Sequence, residues 1–226
     1  MLKFPQVGEI YAQLWIMGNT NENGSALICI PDINGFTRFM AESDLEFSKK
    51  IIPPLLRTIV GSNTLNMKVG EIEGDAVVFY RFGKLPTLND LLNQCVDFHL
   101  KFNEQLRALM VEFRDDFDTW TSSNRLSLKI VVHAADITFT HIEGITKLIG
   151  EDVVVVHKLL KNSVPDVEYI LLTEKLLAVY TQPEIEKAFS EFTVQEGTDE
   201  YEYIGKVNYR YLLFPKDEVS WPNNPA

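Results

Sequence analysis

The sequence lacks any excess of positive charge. Its 21 Lys and Arg stand against 32 Asp and Glu, a net charge of −11. Without a basic stripe there is little to neutralise a phosphate backbone, which excludes nucleic acid as a partner and anionic membrane surfaces with it. Long apolar runs are missing too. None approaches the roughly 18 residues of a spanning helix. The opening MLKFPQVGEIYAQLW is interrupted by Pro5, Gly8 and Glu9, unlike a signal peptide. Cysteine is scarce. Cys29 and Cys95 lie in apolar segments far apart in sequence, and they read as buried reduced thiols of a cytoplasmic protein. No G-x-x-x-x-G-K-[ST] loop occurs, so P-loop chemistry is unsupported. The histidines, His99, His133, His141 and His157, show no zinc-type spacing and read as structural.

What is present is enough to build a core. Hydrophobic residues make up 46% of the 226 and aromatics 11%, which fits one large folded domain rather than disorder. SALICIPDI (25–33) reads as a strand buried on both faces, ended by Asn34-Gly35 with a helix from Phe36. Leu45 to Val60 has helical spacing, but Pro53-Pro54 predicts a kink or a split. Leu65 to Tyr80 reads as two strands joined at Glu73-Gly74-Asp75, a hairpin. Thr87 to Arg114 is the clearest helix, with Leu88, Leu91, Leu92, Cys95, Phe102, Leu106, Leu109 and Phe113 in one stripe.

A polar excursion follows near 115–125. Leu126 to Ile142 suggests two strands with a bend near Ala134–Asp136. GEDVVVVHKLLKN (150–162) is strand-like by its valines and helix-like by its end. Tyr169 to Leu172 reads as a strand, Glu174 to Tyr180 as a short helix, and Tyr201 to Phe214 as a closing hairpin. The order predicts an α+β fold, with helices packed on a mostly antiparallel sheet. Residues 1–24 form an N-terminal extension and 215–226 a tail.

Two carboxylates stand out by position. Asp32 ends the buried strand, and Asp75 sits at the hairpin tip. Close carboxylates repel and need a cation. Hard divalent ions favour such oxygen sites, completed by substrate phosphates. The amides of Gly35, Phe36 and Thr37, at a helix start, suit the anionic end. Spacing alone leaves a plainer alternative standing, in which Asp32 is a helix cap and Asp75 a turn residue.

Several segments resemble a known family. PDINGFTRFM (31–40) is similar to the F-x-D-I-x-G-F-T signature of class III adenylate and guanylate cyclases, and EIEGDAVVFY (71–80) to their strand–GDA–strand hairpin. KIVVHAADI (129–137), KLIGEDVVVVHKLLKN (147–162) and YIGKVNYRYLLF (203–214) resemble three later cyclase segments in the same order. The nearest resemblance is to small bacterial cyclase-like proteins of unknown function that share PDISGFT, EIEGDAV and HRLLKNS-type segments. It implies a ferredoxin-like nucleotide cyclase catalytic-domain fold over 25–214, with 150–162 helical.

By that resemblance, Asp32 and Asp75 match the metal-binding aspartates, and Ile33 matches the residue lending a backbone carbonyl. Two Mg²⁺ or Mn²⁺ ions are implied, activating a ribose 3′-hydroxyl and clamping a triphosphate. Lys206 matches a phosphate-contacting lysine, with a solvated surface lysine as the alternative. Glu71 falls where guanylate cyclases have a purine-reading Glu. A carboxylate there can accept from guanine N1 and N2; the alternative is an exposed strand Glu beside Glu73.

The departures lie in the transition-state half. Val154 stands where the family has a ribose-orienting Asn. Lys158 stands where it has a catalytic Arg, keeping the charge without the bidentate fork. Lys147 falls near the second base-reading position and resembles none of its usual residues. Losing one preorganised donor typically costs ~100- to 1,000-fold in rate. The expectation is a divergent cyclase-like protein, a head-to-tail homodimer that binds a metal–nucleoside triphosphate with weak or absent turnover. The competing expectation is a non-catalytic signalling or interaction module on the same fold.

Overall fold

The computed structural model describes residues 24–119, 126–143 and 145–214. Most of the N-terminal extension, the tail and 120–125 of the polar excursion lie outside them. At the centre is β1 (Gly24–Asn34), flanked by β3 (Ala76–Phe82) and β4 (Ser127–Ile142), both antiparallel to it. The sheet runs β2-β3-β1-β4-β6-β8-β7, where β2 is Lys68–Glu73, β6 Tyr169–Thr173, β7 Thr193–Tyr201 and β8 Gly205–Leu213. Along this path β4–β6 is parallel and the other pairings are antiparallel. A short strand, β5 (Ile145–Ile149), pairs off that path with the far end of β4.

Both faces of β1 are covered, which is why its sequence is apolar without alternation. Leu27, Cys29 and Ile33 face one core with α1 (Phe36–Glu42), α2 (Leu45–Gly61) and α3 (Leu88–Glu112). The short helices α4 (Arg114–Thr119), α6 (Glu174–Leu177) and α7 (Gln182–Phe189) add Phe117, Leu176, Leu177, Ile185 and Phe189 to it. Ala26, Ile28 and Ile30 face the second core, closed by Val155, Val156 and Leu159 of α5 (Glu151–Leu159).

Several expectations are corrected here. The helix over 45–61 is neither split nor ended at Pro53-Pro54. The carbonyls deprived of helical donors belong to Lys49 and Lys50, exposed residues that water can reach. The stretch 127–142 is one strand and not two. Pairing with β1 runs unbroken through Ala134, Ala135 and Asp136, so no bend forms there. The closing hairpin starts earlier than Tyr201, because β7 begins at Thr193. Its residues are largely exposed on an edge strand and show no apolar alternation. Helix α7 was not anticipated, although a capping box marks it: Thr181 donates its N–H to Glu184 at 2.8 Å. The valine-rich stretch is helical, as α5.

Candidate functional site

Asp32 closes the buried run of β1 on the same face as Ile28 and Ile30, and it is only 8% exposed. In register it lies between Ala76 of β3 and Lys129 of β4. The β2–β3 turn reverses at Gly74, whose φ of 61° suits a residue without a side chain. The turn is fastened to β1 because the Ile33 N–H donates to the Asp75 carbonyl at 3.2 Å. The fold thus brings Asp32, Ile33 and Asp75 together from two elements. Burial, and then the negative charge of Asp32, push the Asp75 carboxyl up from 3.8 to about 6.

A third group joins them that sequence reading did not single out. Lys129 Nζ stands 3.2 Å from Asp32 Oδ2 and donates to the Leu160 carbonyl, just past α5, at 2.7 Å. Nothing local in KIVVHAADI marks this lysine. Only strand pairing sets it opposite Asp32. One ammonium offsets only one of two carboxylates, and the donors are all hard oxygens. That set fits Mg²⁺ or Mn²⁺.

A second cluster forms on β2, β5 and α5. Lys147 donates to Glu71 Oε2 at 2.5 Å. The ring of His157 sits between two carboxylates, with Nε2 at 3.9 Å from Glu71 and Nδ1 at 3.6 Å from Glu73. Hydrogen bonding to Glu71 holds the Lys147 ammonium above its ordinary pKa. The sequence offered Lys147 as a misfit, and the structure makes it the partner of the Glu expected to read the base.

The remaining candidates are spread out. Gly35, with φ 85°, precedes α1, whose first turn holds Phe36 and Thr37 and no acidic residue. On α5, Val154 is 51% exposed, and Lys158, four residues on, is exposed on the same side of the helix. Lys206 is exposed at the start of β8, opposite Glu200. Among the described residues, no ion pair links Lys158 or Lys206 to Asp32, Asp75 or Glu71.

The helix that carries Val154 and Lys158 is anchored by a polar network beneath it. Buried His133 shares hydrogen bonds with Thr173 Oγ1 at 2.8 Å and Asp152 Oδ1 at 2.9 Å. Asp152, in the first turn of α5, also accepts from Lys175 and from the Asp136 N–H, each at 2.6 Å. Burial pushes His133 down, against the pull of Asp152. Burial alone would raise Asp152, but Lys175, the Asp136 amide and His133 hold it below the usual carboxylate range. The network fixes the start of α5 against β4.

Comparison with known proteins agrees with this architecture. Residues 52–169 match a family described as "Protein of unknown function (DUF2652)". An uncharacterized protein of Mycobacterium tuberculosis, Rv2561/Rv2562, is 24% identical over 158 residues, 70% of this chain and 71% of that one. Among solved structures, the guanylyl cyclase Cya2 superposes with a TM-score of 0.63 at 14% identity, over 88% of this chain and 97% of that chain. The adenylyl cyclase CyaB of P. aeruginosa gives 0.58 at 12% identity, over 88% and 99%. The guanylate cyclase domain of RhGC from Catenaria anguillulae, solved in complex with GTP, gives 0.54 at 14% identity, over 84% and 96%. At such identities the likeness is one of fold, and that fold is the class III cyclase catalytic domain.

Proposed function

The chain belongs to the DUF2652 family and has the class III cyclase fold, and from that premise we propose that it binds a divalent-metal–nucleoside triphosphate, with weak or absent cyclase turnover. The observation that carries this reading is the meeting of buried Asp32 and half-buried Asp75, two carboxylates with a single ammonium, that of Lys129 beside Asp32, to offset them. Asp32, Asp75 and the Ile33 carbonyl are the groups that would hold Mg²⁺ or Mn²⁺. When bound, such ions neutralise a triphosphate and polarise its phosphorus centre.

The chain's own residues divide the remaining work. The amide N–H groups of Gly35, Phe36 and Thr37 donate to phosphate oxygens, and Lys206 adds a charge to that end. Glu71 faces the purine, and Lys147 beside it supplies a donor to the same edge. Val154 has no group with which to orient a ribose. Lys158 carries charge without a planar fork to follow a changing phosphate. Binding therefore survives better than the in-line attack of the 3′-hydroxyl on the α-phosphate with loss of pyrophosphate. A head-to-tail homodimer would bring the metal half of one copy to the base half of the other. It would also cover the exposed apolar residues Val69, Ile72, Ile149 and Val154.

The test is calorimetry of the full chain with Mn²⁺ and either ATP or GTP, with chromatography for a 3′,5′-cyclic product. Binding lost in Asp32→Ala and Asp75→Ala, with little product, is the expected result. Absence of binding with every divalent metal would overturn the proposal and leave an interaction module on the cyclase fold. Rapid cyclisation abolished by Lys158→Ala would overturn the claim of weak turnover.

A further inference from the structure

Resting on that reading, we infer that Lys129 is the resident cation of the Asp32–Asp75 pair in the ion-free protein, and that a divalent metal must displace it to bind there. Three features of geometry carry this. Lys129 is the β4 residue directly opposite Asp32 in the antiparallel register, so both side chains leave the sheet on one face. Its ammonium lies 3.2 Å from Asp32 Oδ2, with side chains only 16% and 11% exposed, so the pair is little screened by water. A second anchor, the Leu160 carbonyl at 2.7 Å, holds the ammonium in place and does not leave it to wander on a flexible stem.

The charges explain why the lysine is needed. A buried carboxylate beside a second carboxylate is costly unless a cation is near. Without a metal, Lys129 is the cation that β1, β3 and β4 supply. A hard divalent ion seeks the same Asp32 oxygens. The two compete for one carboxylate, and the lysine lowers the apparent affinity for a bare ion. Displacement also frees the Leu160 carbonyl at the end of α5, the helix bearing Lys158. Occupancy of the metal half is therefore felt at the orienting half within one chain, through one side chain.

The experiment is a calorimetric Mn²⁺ titration of the full chain as wild type, Lys129→Met, Lys129→Arg and Asp32→Asn, with thermal unfolding of each. Lys129→Met should bind Mn²⁺ roughly ten- to a hundredfold tighter, the scale by which one neighbouring charge shifts a carboxylate's affinity for a cation. Lys129→Arg should bind no tighter than wild type. Ion-free Lys129→Met should unfold at a lower temperature than wild type, and Mn²⁺ should raise that temperature by more. If Lys129→Met does not fold without metal, Lys129→Gln, whose amide can still donate to Leu160, serves for the same comparison.

Equal Mn²⁺ affinity in wild type and the neutral variants, still abolished by Asp32→Asn, would overturn the inference and leave the metal site standing. No Asp32-dependent Mn²⁺ binding in any form would remove both.

Discussion

Lys147 on β5 is hydrogen-bonded to Glu71 on β2 at 2.5 Å, although 76 residues separate them in the chain. The contact exists because β5 folds back along β4 and lies against the edge of β2, where Leu148 passes within 3.5 Å of the position a Gly70 side chain would occupy. It places an acceptor and a donor side by side where the family resemblance expects a purine edge.

That pair should matter for ligand choice and little for stability. Its side chains are 50% and 27% exposed, so Lys147→Ala should change unfolding free energy by less than about 1 kcal/mol. Glu71→Ala should weaken GTP binding more than ATP binding, because only guanine offers N1–H and N2–H to a carboxylate. Chemical denaturation and paired nucleotide titrations check both statements.

Asp75 should give the protein a pH-dependent stability. Its folded pKa, about 6, lies above the ordinary 3.8, so the native state holds the proton more tightly than the unfolded chain. The contribution is fully present below about pH 4 and is lost as pH rises through about 6. Relative to Asp75→Asn, wild type should lose roughly 1–2 kcal/mol between those limits, allowing for partial solvent screening. Urea unfolding of both forms across that range measures it. Proton competition at the same carboxyl should weaken Mn²⁺ binding as pH falls below about 6.

Cys29 of β1 and Cys95 of α3 are fully buried neighbours. Hydrogen bonding to Cys29, together with burial, holds the Cys95 thiol well above its ordinary pKa. Neither should react with an aromatic disulfide reagent while the protein is folded, and both should react in denaturant. Fast labelling of the native protein would contradict this packing.

Gln94 should be a costly residue to lose. It is 1% exposed in the second turn of α3. Its carbonyl accepts from Thr64 N at 2.6 Å, Thr64 Oγ1 at 2.7 Å and Leu65 N at 3.1 Å, and its amide donates to the Ser62 carbonyl at 2.8 Å. Gln94→Leu keeps the bulk but strands those backbone groups, so about 2–4 kcal/mol of stability should be lost. Denaturant midpoints of the two proteins provide the measurement.

Much of the fold was legible because it is written locally. The apolar run of β1, the Glu73-Gly74-Asp75 turn and the stripe of α3 are each specified by residues a few positions apart. The misreadings came where neighbours decide. Pairing with β1 straightened β4, and water-accessible carbonyls let α2 run through its prolines. A polar edge strand concealed β7.

The candidate site divides in the same way. The sequence by itself determined the candidates: Asp32 at a strand end and Asp75 at a turn stand out by position, and Glu71, Val154 and Lys158 are marked by the resemblance to cyclases. Only the first two placements follow from local periodicity and turn preference; the local pattern left 150–162 open between strand and helix, and the resemblance made it helical. Tertiary structure alone decided that Lys129 would neutralise Asp32 and that Lys147 would meet Glu71. Both contacts depend on strand register between distant segments. A slip of one residue would turn either lysine to the opposite face of the sheet.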